Sequence, residues 1–341
     1  MKSIRFLAMP LGMLVILVLT IAAFGLPIFD SLDLLYEGAL ADKFGIHRTL
    51  VKSAPLIMVA IGLIVAWRAG MFNIGGEGQL LVGVVAGATV FKLMPGVSGG
   101  LLNLLILLTC ATAGALYAGF AGYLFVKRGV NIVISTILLN FVAIHLMSYV
   151  TLGPLQENNK SIPQTDSLPQ SVMFQRVDSQ TDLHTGILIC FAFAFVAWIW
   201  LSYTKSGLNL RLVGSNANAA RSARLPVERI QIKAMLISGG LCGLAGGIEY
   251  LGVSGYLFQG FSPQWGFLGI PVALLGGLHP IGAVCSGLYF GALISGASNL
   301  EKFGQTQSSI VFVIQAIGVL AYVAFRSVAK RKAIMAVSTD E

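Results

Sequence analysis

Long apolar runs alternate with short polar breaks along this chain, and the runs set the expected elements. Ten of them read as membrane segments: 7–29, 50–67, 80–94, 101–126, 131–150, 185–203, 232–252, 266–278, 281–298 and 308–326. About 20 apolar residues in a helix cross a hydrocarbon core of roughly 30 Å. None of the runs alternates with the period of two that a barrel strand requires, so helices are expected throughout. The opening "MKSIR" and the run behind it read as a retained first span, because no small-residue cleavage site follows. An amphipathic stretch at 31–49 precedes the second span. Polar stretches at 152–184 and 204–231 flank the sixth.

One break is unusual. "FNIGGEGQ", Phe72–Gln79, places glycines, amides and Glu77 between two apolar runs. It follows Arg68, and the span behind it is short. Two readings stay open: a capped turn at the surface, or a segment that folds back to membrane depth, where non-helical backbone is tolerated under cover of protein or water. In either, Glu77 and Gln79 fall at a helix N-terminus, where the dipole favours a carboxylate.

Composition supports the membrane reading. Of the 341 residues, 56% are hydrophobic and 11% are charged, against roughly 25% charged in a soluble domain. The mean hydropathy is +0.83. The net charge of +8 is not a nucleic-acid signal. Fifteen of the 22 Lys and Arg fall on one side of a ten-span topology: Lys2, Arg5, Arg68, Lys127, Arg128, Lys205, Arg211, Arg221, Arg224, Arg229, Lys233, Arg326, Lys330, Arg331 and Lys332. The positive-inside rule makes that side cytoplasmic and leaves both termini there. The stretch 152–184 is then extracytoplasmic. The chain is read as one transmembrane domain, 1–341.

Glycines recur at four-residue spacing, as at Gly83 and Gly87, at Gly239, Gly243 and Gly247, and at Gly287 and Gly291. In lipid such spacing lets helices pack closely. The second to fifth and the seventh to tenth spans, four on either side of the sixth, suggest an inverted repeat, as in many transporters. Direct alignment of Gly76–Gly87 with Gly266–Gly277 gives identity only at Gly76/Gly266, Val82/Val272 and Gly87/Gly277, so the repeat is an expectation from topology.

Catalytic chemistry is not expected. There is no GxxxxGK[ST] phosphate loop. Cys110, Cys190, Cys242 and Cys285 lie in apolar runs without a CxxC pair, so neither a metal site nor a disulfide is expected. "ISGGL", Ile237–Leu241, reads as helix-packing glycines. Of the four histidines only His145 lies within a span, where a neutral imidazole bonded to a neighbouring helix is the commoner case. Glu77 and Glu249 are the only acids near membrane depth, which opposes an ion-driven carrier. The cytoplasmic stretch contains "GSNANAARSARLPVERI", in which Asn216 can cap a short helix over Ala217–Arg224 that ends before Pro226. A small, basic helix of that kind suits docking into a groove of a soluble partner.

"AWRAGMFNIGGEGQLLVGVVAGATV", "RGVNIVISTILLNFVA", "LRLVGSNANAARSARLPVERI" and "GFLGIPVALLGGLHPIGA", in this order over residues 50–325, resemble the permease subunits of bacterial ABC importers. The family is that of the ribose, simple-sugar and branched-chain amino acid permeases. The "FNIGGEGQ" form is similar to its nucleoside, guanosine-type branch; sugar permeases tend to carry a GGIDLS-like segment there. The resemblance implies an all-α helical bundle of the type II importer kind in the bacterial plasma (inner) membrane, importing nucleosides, with ribose or another simple sugar as the alternative. It implies no cofactor in this chain, since ATP and Mg sit on a partner ATPase. The implied partners are that ATPase, a second permease subunit of a different chain, a substrate-binding lipoprotein or periplasmic protein, and membrane lipid. The coupling segment is carried by Gly214, Ser215, Asn216, Ala219, Ala220, Arg221 and Pro226. Arg224 departs from relatives, which usually have glycine there. Candidate pathway groups are Asn73, Glu77, Gln79, Asn140 and Trp265.

Overall fold

A computed structural model describes residues 15, 17–97, 99–158, 162–303, 313 and 316. Its named elements are helices: α1 Ile28–Ala39, α2 Lys43–Arg68, α3 Gly76–Leu93, α4 Gly99–Arg128, α5 Ile132–Leu152, α6 Gly186–Tyr203, α7 Lys205–Ser215, α8 Ala217–Ser222, α9 Val227–Glu249, α10 Trp265–Leu275 and α11 Pro280–Phe303. A π-helical turn, Tyr250–Ser254, continues α9. Six of the described helical segments are long and apolar enough to cross a membrane: α2, α4, α5, α6, α9 with its π turn, and α11. The fold class is therefore the expected helical membrane bundle.

Several boundaries differ from expectation. Residues 17–23 are helical, but the span expected over 7–29 breaks at a turn around Gly25, whose φ is +69°, ahead of Pro27. The second span starts at Lys43 rather than at 50 and absorbs Pro55. In a buried helix, neighbouring groups can cover the carbonyl that proline leaves free. The third starts at Gly76, taking up the four residues Gly76–Gln79 that precede the expected start at 80. The eighth, expected over 266–278, is an 11-residue helix. That is about 16 Å at 1.5 Å per residue, half of the hydrocarbon thickness. The span expected over 308–326 lies outside the described residues apart from 313 and 316.

The contacts fall into two compact units, Met1–Thr49 with Tyr289–Glu341, and Leu50–Leu288. In the first, α1 meets the end of α11 at glycines: a Cβ on Gly38 would stand 2.8 Å from Gly296 Cα. Ser295 Oγ donates to Gly38 O at 2.7 Å and Asn299 Nδ2 to Leu34 O at 3.0 Å.

In the second unit α3, α4 and α9 cross at the expected small residues. A Cβ on Gly243 would overlap Cys110 O, one on Gly239 would overlap Gly114 O, and one on Gly83 would stand 2.7 Å from Gly243 Cα. Backbones that approach this closely leave room only for glycine.

The two ends of this unit differ in charge. At one end Lys127 pairs with Glu228 at 3.0 Å and Gly214 packs on the Arg68 carbonyl. That end gathers the close of α2, the close of α4 and the basic loop before α9. At the other end the 153–185 loop lies over the start of α4, where Asn103 Nδ2 donates to Val172 O at 2.9 Å. It also pairs with the segment after α9, through Thr165 N to Leu257 O at 2.9 Å. His184 closes this loop, stacked on Phe174 at 5.6 Å with its ring against Gly252. Burial lowers the His184 pKa to about 4, while Asp182 pulls it up and Arg176 pushes it further down.

Candidate functional site

The segment after Arg68 folds back into the unit. Gly76 packs on Val59, where a Cβ would stand 3.2 Å from Val59 Cγ1. Val59 lies nine residues before Arg68, hence about 13 Å along the α2 axis, close to mid-membrane depth. Between Arg68 and Gly76 the chain is non-helical, and side chains satisfy its backbone. Trp67 Nε1 donates to Asn73 O at 2.9 Å, Ile74 N to Thr136 Oγ1 at 3.2 Å, and Asn140 Nδ2 to Ile74 O at 3.0 Å. At the start of α3, Gly75 N donates to Asn73 Oδ1 at 2.8 Å and Gly78 N to Asn140 Oδ1 at 2.8 Å. The Asn73 and Gln79 amides bond each other at 3.0 and 2.9 Å, and Asn73 reaches Ser238 Oγ of α9 at 2.9 Å. Buried backbone of this kind costs kilocalories unless partnered, and here the partners come from α2, α5 and α9.

The short helix α10 arrives at the same level from the opposite direction. Gly269 packs on Val59, and Arg68 Nε donates to Leu278 O at 2.9 Å, so α10 runs toward the basic end while α3 runs away from it. Their N-termini meet. Gly266 N donates to Glu77 Oε2 at 2.7 Å, and the Ser262 hydroxyl faces the same carboxylate. A Cβ on Gly266 would overlap the Glu77 backbone. Glu77, 3% exposed, is thus held between two helix N-termini. Burial is the largest influence on this group and works against its charge; the dipole ends and the hydrogen bonds from Gly266 and Ser262 offset part of that cost. Interrupted helices with opposed N-termini near the midplane are how many transporters build a site.

A cavity of about 390 Å³ opens beside Glu77. Phe141 and Ser148 of α5, Gln259 and Phe261 of the 255–264 segment, and Phe267 of α10 line it. Asn140 is level with Gly78, and Ser148 lies eight residues on, about 12 Å along α5. The cavity therefore extends from Glu77 toward the end that carries the 153–185 loop.

Of the five pathway candidates, Glu77 alone is among the cavity-lining residues. Asn73, Gln79 and Asn140 are at most 2% exposed and bonded into the scaffold that holds the returning segment. Trp265 is 1% exposed; its Nε1 finds no hydrogen-bond partner among the described residues, and Lys52 Nζ stands 5.6 Å from its ring centroid. Sequence reasoning missed Phe141, Ser148, Gln259, Phe261 and Phe267. A signal was present: "FQGFSPQW", Phe258–Trp265, is a second polar, glycine-containing break before a short apolar segment.

The candidates for the coupling segment form a closed loop. Asn216 caps α8, its Oδ1 accepting from Asn218 N and Ala219 N at 3.0 Å each. The helix stops at Ser222, two residues short of expectation, because Leu225 N turns back to Ala220 O at 3.0 Å and Arg224 N to Arg221 O at 2.8 Å. This is a Schellman closure. It puts Arg224 in the left-handed region, φ +59°, at the position that glycine usually fills. Ala220 packs inward with Val213 and Val227, Ser215 Oγ donates to Leu212 O at 2.8 Å, and Pro226 precedes α9. Asn218, Ala219 and Arg221 face outward.

Comparison with known proteins places this architecture. The family described as branched-chain amino acid transport system / permease component matches residues 45–321. The guanosine ABC transporter permease protein NupP of Bacillus subtilis is 33% identical over 300 residues, 87% of this chain and 86% of its own. The glucose ABC transporter permease protein TsgB13 of Haloferax volcanii is 32% identical over 301 residues, 85% and 79%. The nucleoside ABC transporter permease protein NupB of Lactococcus lactis is 30% identical over 305 residues, 86% and 84%. With apolar spans, interrupted helices that meet at Glu77 and a family match over most of its length, this chain belongs to the branched-chain amino acid transport system permease family and is a membrane transport subunit rather than an enzyme.

Proposed function

We propose that the chain is a permease subunit of an ATP-driven ABC importer for nucleosides. The observation that carries this reading is the similarity, over about 86% of the chain, to permeases named for guanosine and for nucleosides. The local chemistry agrees. A single carboxylate held at mid-depth beside an aromatic-lined cavity suits a polar, uncharged ligand that has to leave again. The spans hold few other acids, and the energy comes from outside the chain, from a cytoplasmic ATPase that carries the ATP and Mg. Gly214, Ser215, Asn216, Ala219, Ala220, Arg221 and Pro226 form the docking loop, with Asn218, Ala219 and Arg221 turned to the ATPase and Ala220 holding the loop's own core. When the ATPase pair closes, it moves the loop, the helices rock and access alternates. A second, different permease chain completes the pathway and a binding protein delivers the ligand. The chain sits in the bacterial plasma membrane, basic end and both termini inward.

The glucose permease among the relatives favours a second reading, a simple-sugar importer. Uptake of labelled guanosine, cytidine and ribose by a deletion strain carrying the restored transporter separates the two. Nucleoside uptake that unlabelled ribose does not compete supports the first reading; ribose uptake without nucleoside uptake refutes it. Ala219→Glu, on the exposed face of α8, abolishes uptake while the chain still inserts; normal uptake refutes the docking role.

A further inference from the structure

We infer that the cavity beside Glu77 is a resting site for a ligand that joins a flat π-face to vicinal hydroxyls, which is the chemistry of a nucleoside. The inference rests on the proposed nucleoside import and assigns the ligand's parts to residues. The cavity's 390 Å³ falls at the lower end of the roughly 300–1,000 Å³ of small-molecule sites.

Its lining divides by chemistry. Phe141, Phe261 and Phe267 supply three aromatic surfaces from three different segments. Phe141 lines the cavity from α5. Phe261 is fixed, buried and edge-on to Phe258 at 6.2 Å. Aromatic side chains stack on any nucleobase, because every base has a π-face. A sugar alone needs fewer such surfaces. The polar groups stand at the two ends. Glu77 closes the deep end. Its Oε2 is engaged by Gly266 N, which fixes the carboxylate's direction, and a carboxylate has capacity for several donors. Vicinal ribose hydroxyls are such donors. Ser148 and Gln259 lie toward the other end, where the edge of a base needs a donor and an acceptor. The ribose therefore points down to Glu77 and the base lies among the phenylalanines.

Cysteine protection tests this. Cys110, Cys190 and Cys242 are buried, so a Cys285→Ala background removes the exposed thiol of the described residues. Ser148→Cys, nearly isosteric, then places a thiol on the cavity wall. The complete transporter is reconstituted in liposomes, and a small water-soluble methanethiosulfonate is applied with guanosine, with ribose, or alone. Modification is read by mass spectrometry on this chain's own peptide. At ten times the dissociation constant about one site in eleven is empty. Guanosine then slows modification about tenfold, ribose at the same concentration does not, and Phe267→Leu reduces the guanosine protection several-fold. A rate indifferent to guanosine in a transporter that imports it overturns the resting site and leaves the importer intact. Equal protection by ribose overturns the base-stacking assignment. A transporter that imports no nucleoside overturns the functional reading and the site together.

Discussion

Removing the Glu77 carboxylate should cost stability in two separable parts. In Glu77→Ala, Gly266 N–H loses its acceptor at a position sealed by close backbone packing. A buried donor left unsatisfied costs about 1–3 kcal/mol. The carboxylate's interaction with two helix N-termini is lost as well, at roughly 0.3–1 kcal/mol each. The sum is about 3 kcal/mol. Glu77→Gln keeps an acceptor for Gly266 N–H and gives up only the charge, about 1 kcal/mol. For a chain longer than 250 residues, each kcal/mol moves the melting temperature by about 2 °C. The expected shifts are therefore about 6 °C for Ala and about 2 °C for Gln, measured by thermal denaturation of the purified protein in detergent. If both variants melt with the wild type, the carboxylate does not join α3 to α10 and the account of the junction is wrong. Uptake adds a second readout: a stable Gln variant that no longer imports shows that the carboxylate also meets the ligand.

Other consequences follow from the geometry. Arg224→Gly relieves a left-handed residue, worth about 1–2 kcal/mol less glycine's extra unfolded freedom of about 0.5–1; amide exchange across 216–227 should slow about two- to fivefold, and Arg224→Val should speed it. At the α4–α9 crossing, Gly243→Leu should leave little folded protein, since overpacking costs about 1–3 kcal/mol even for smaller intrusions. Gly240→Ala, whose Cβ would stand 3.4 Å from its nearest neighbour, should be tolerated in the same detergent melt. His184 adds a pH dependence. Its folded pKa of about 4 lies below histidine's ordinary value of 6.5, so the unfolded chain takes the proton first as pH falls. Stability is full above about pH 7 and declines toward pH 4, by as much as ~3 kcal/mol. His184→Gln should flatten the melting temperature between pH 7.5 and 5.

Local features were readable along the chain. Apolar runs mark most of the spans, because burying apolar side chains in lipid depends on composition over about 20 consecutive residues. Asn216 announces the start of α8, because an N-cap acts within three residues of its helix. The end of that helix was not readable: Arg224 reads as its last residue, yet it lies past the end in the left-handed region, because the closing bonds to Ala220 O and Arg221 O depend on the turn that follows. Glycines four apart forecast close helix packing, though not which helices meet: Gly239 and Gly243 of α9 find Gly114 and Cys110 of α4.

The depth of "FNIGGEGQ" was not decidable in the same way. Its polar backbone can meet water at a surface or side chains inside a bundle, and only the partners tell which. Thr136 and Asn140 of α5 and Ser238 of α9 supply them from far along the sequence. The same holds for the polar residues within it. Asn73 and Gln79 satisfy each other and hold the turn, whereas Glu77 crosses to Gly266, 189 residues away, and reaches the cavity. Residue type and spacing by themselves determined that this chain spans a membrane and where the short helix α8 is capped. Which carboxylate faces a cavity, and at what depth, was decided by tertiary structure alone, because a buried polar group takes its role from the neighbours that long-range packing brings to it.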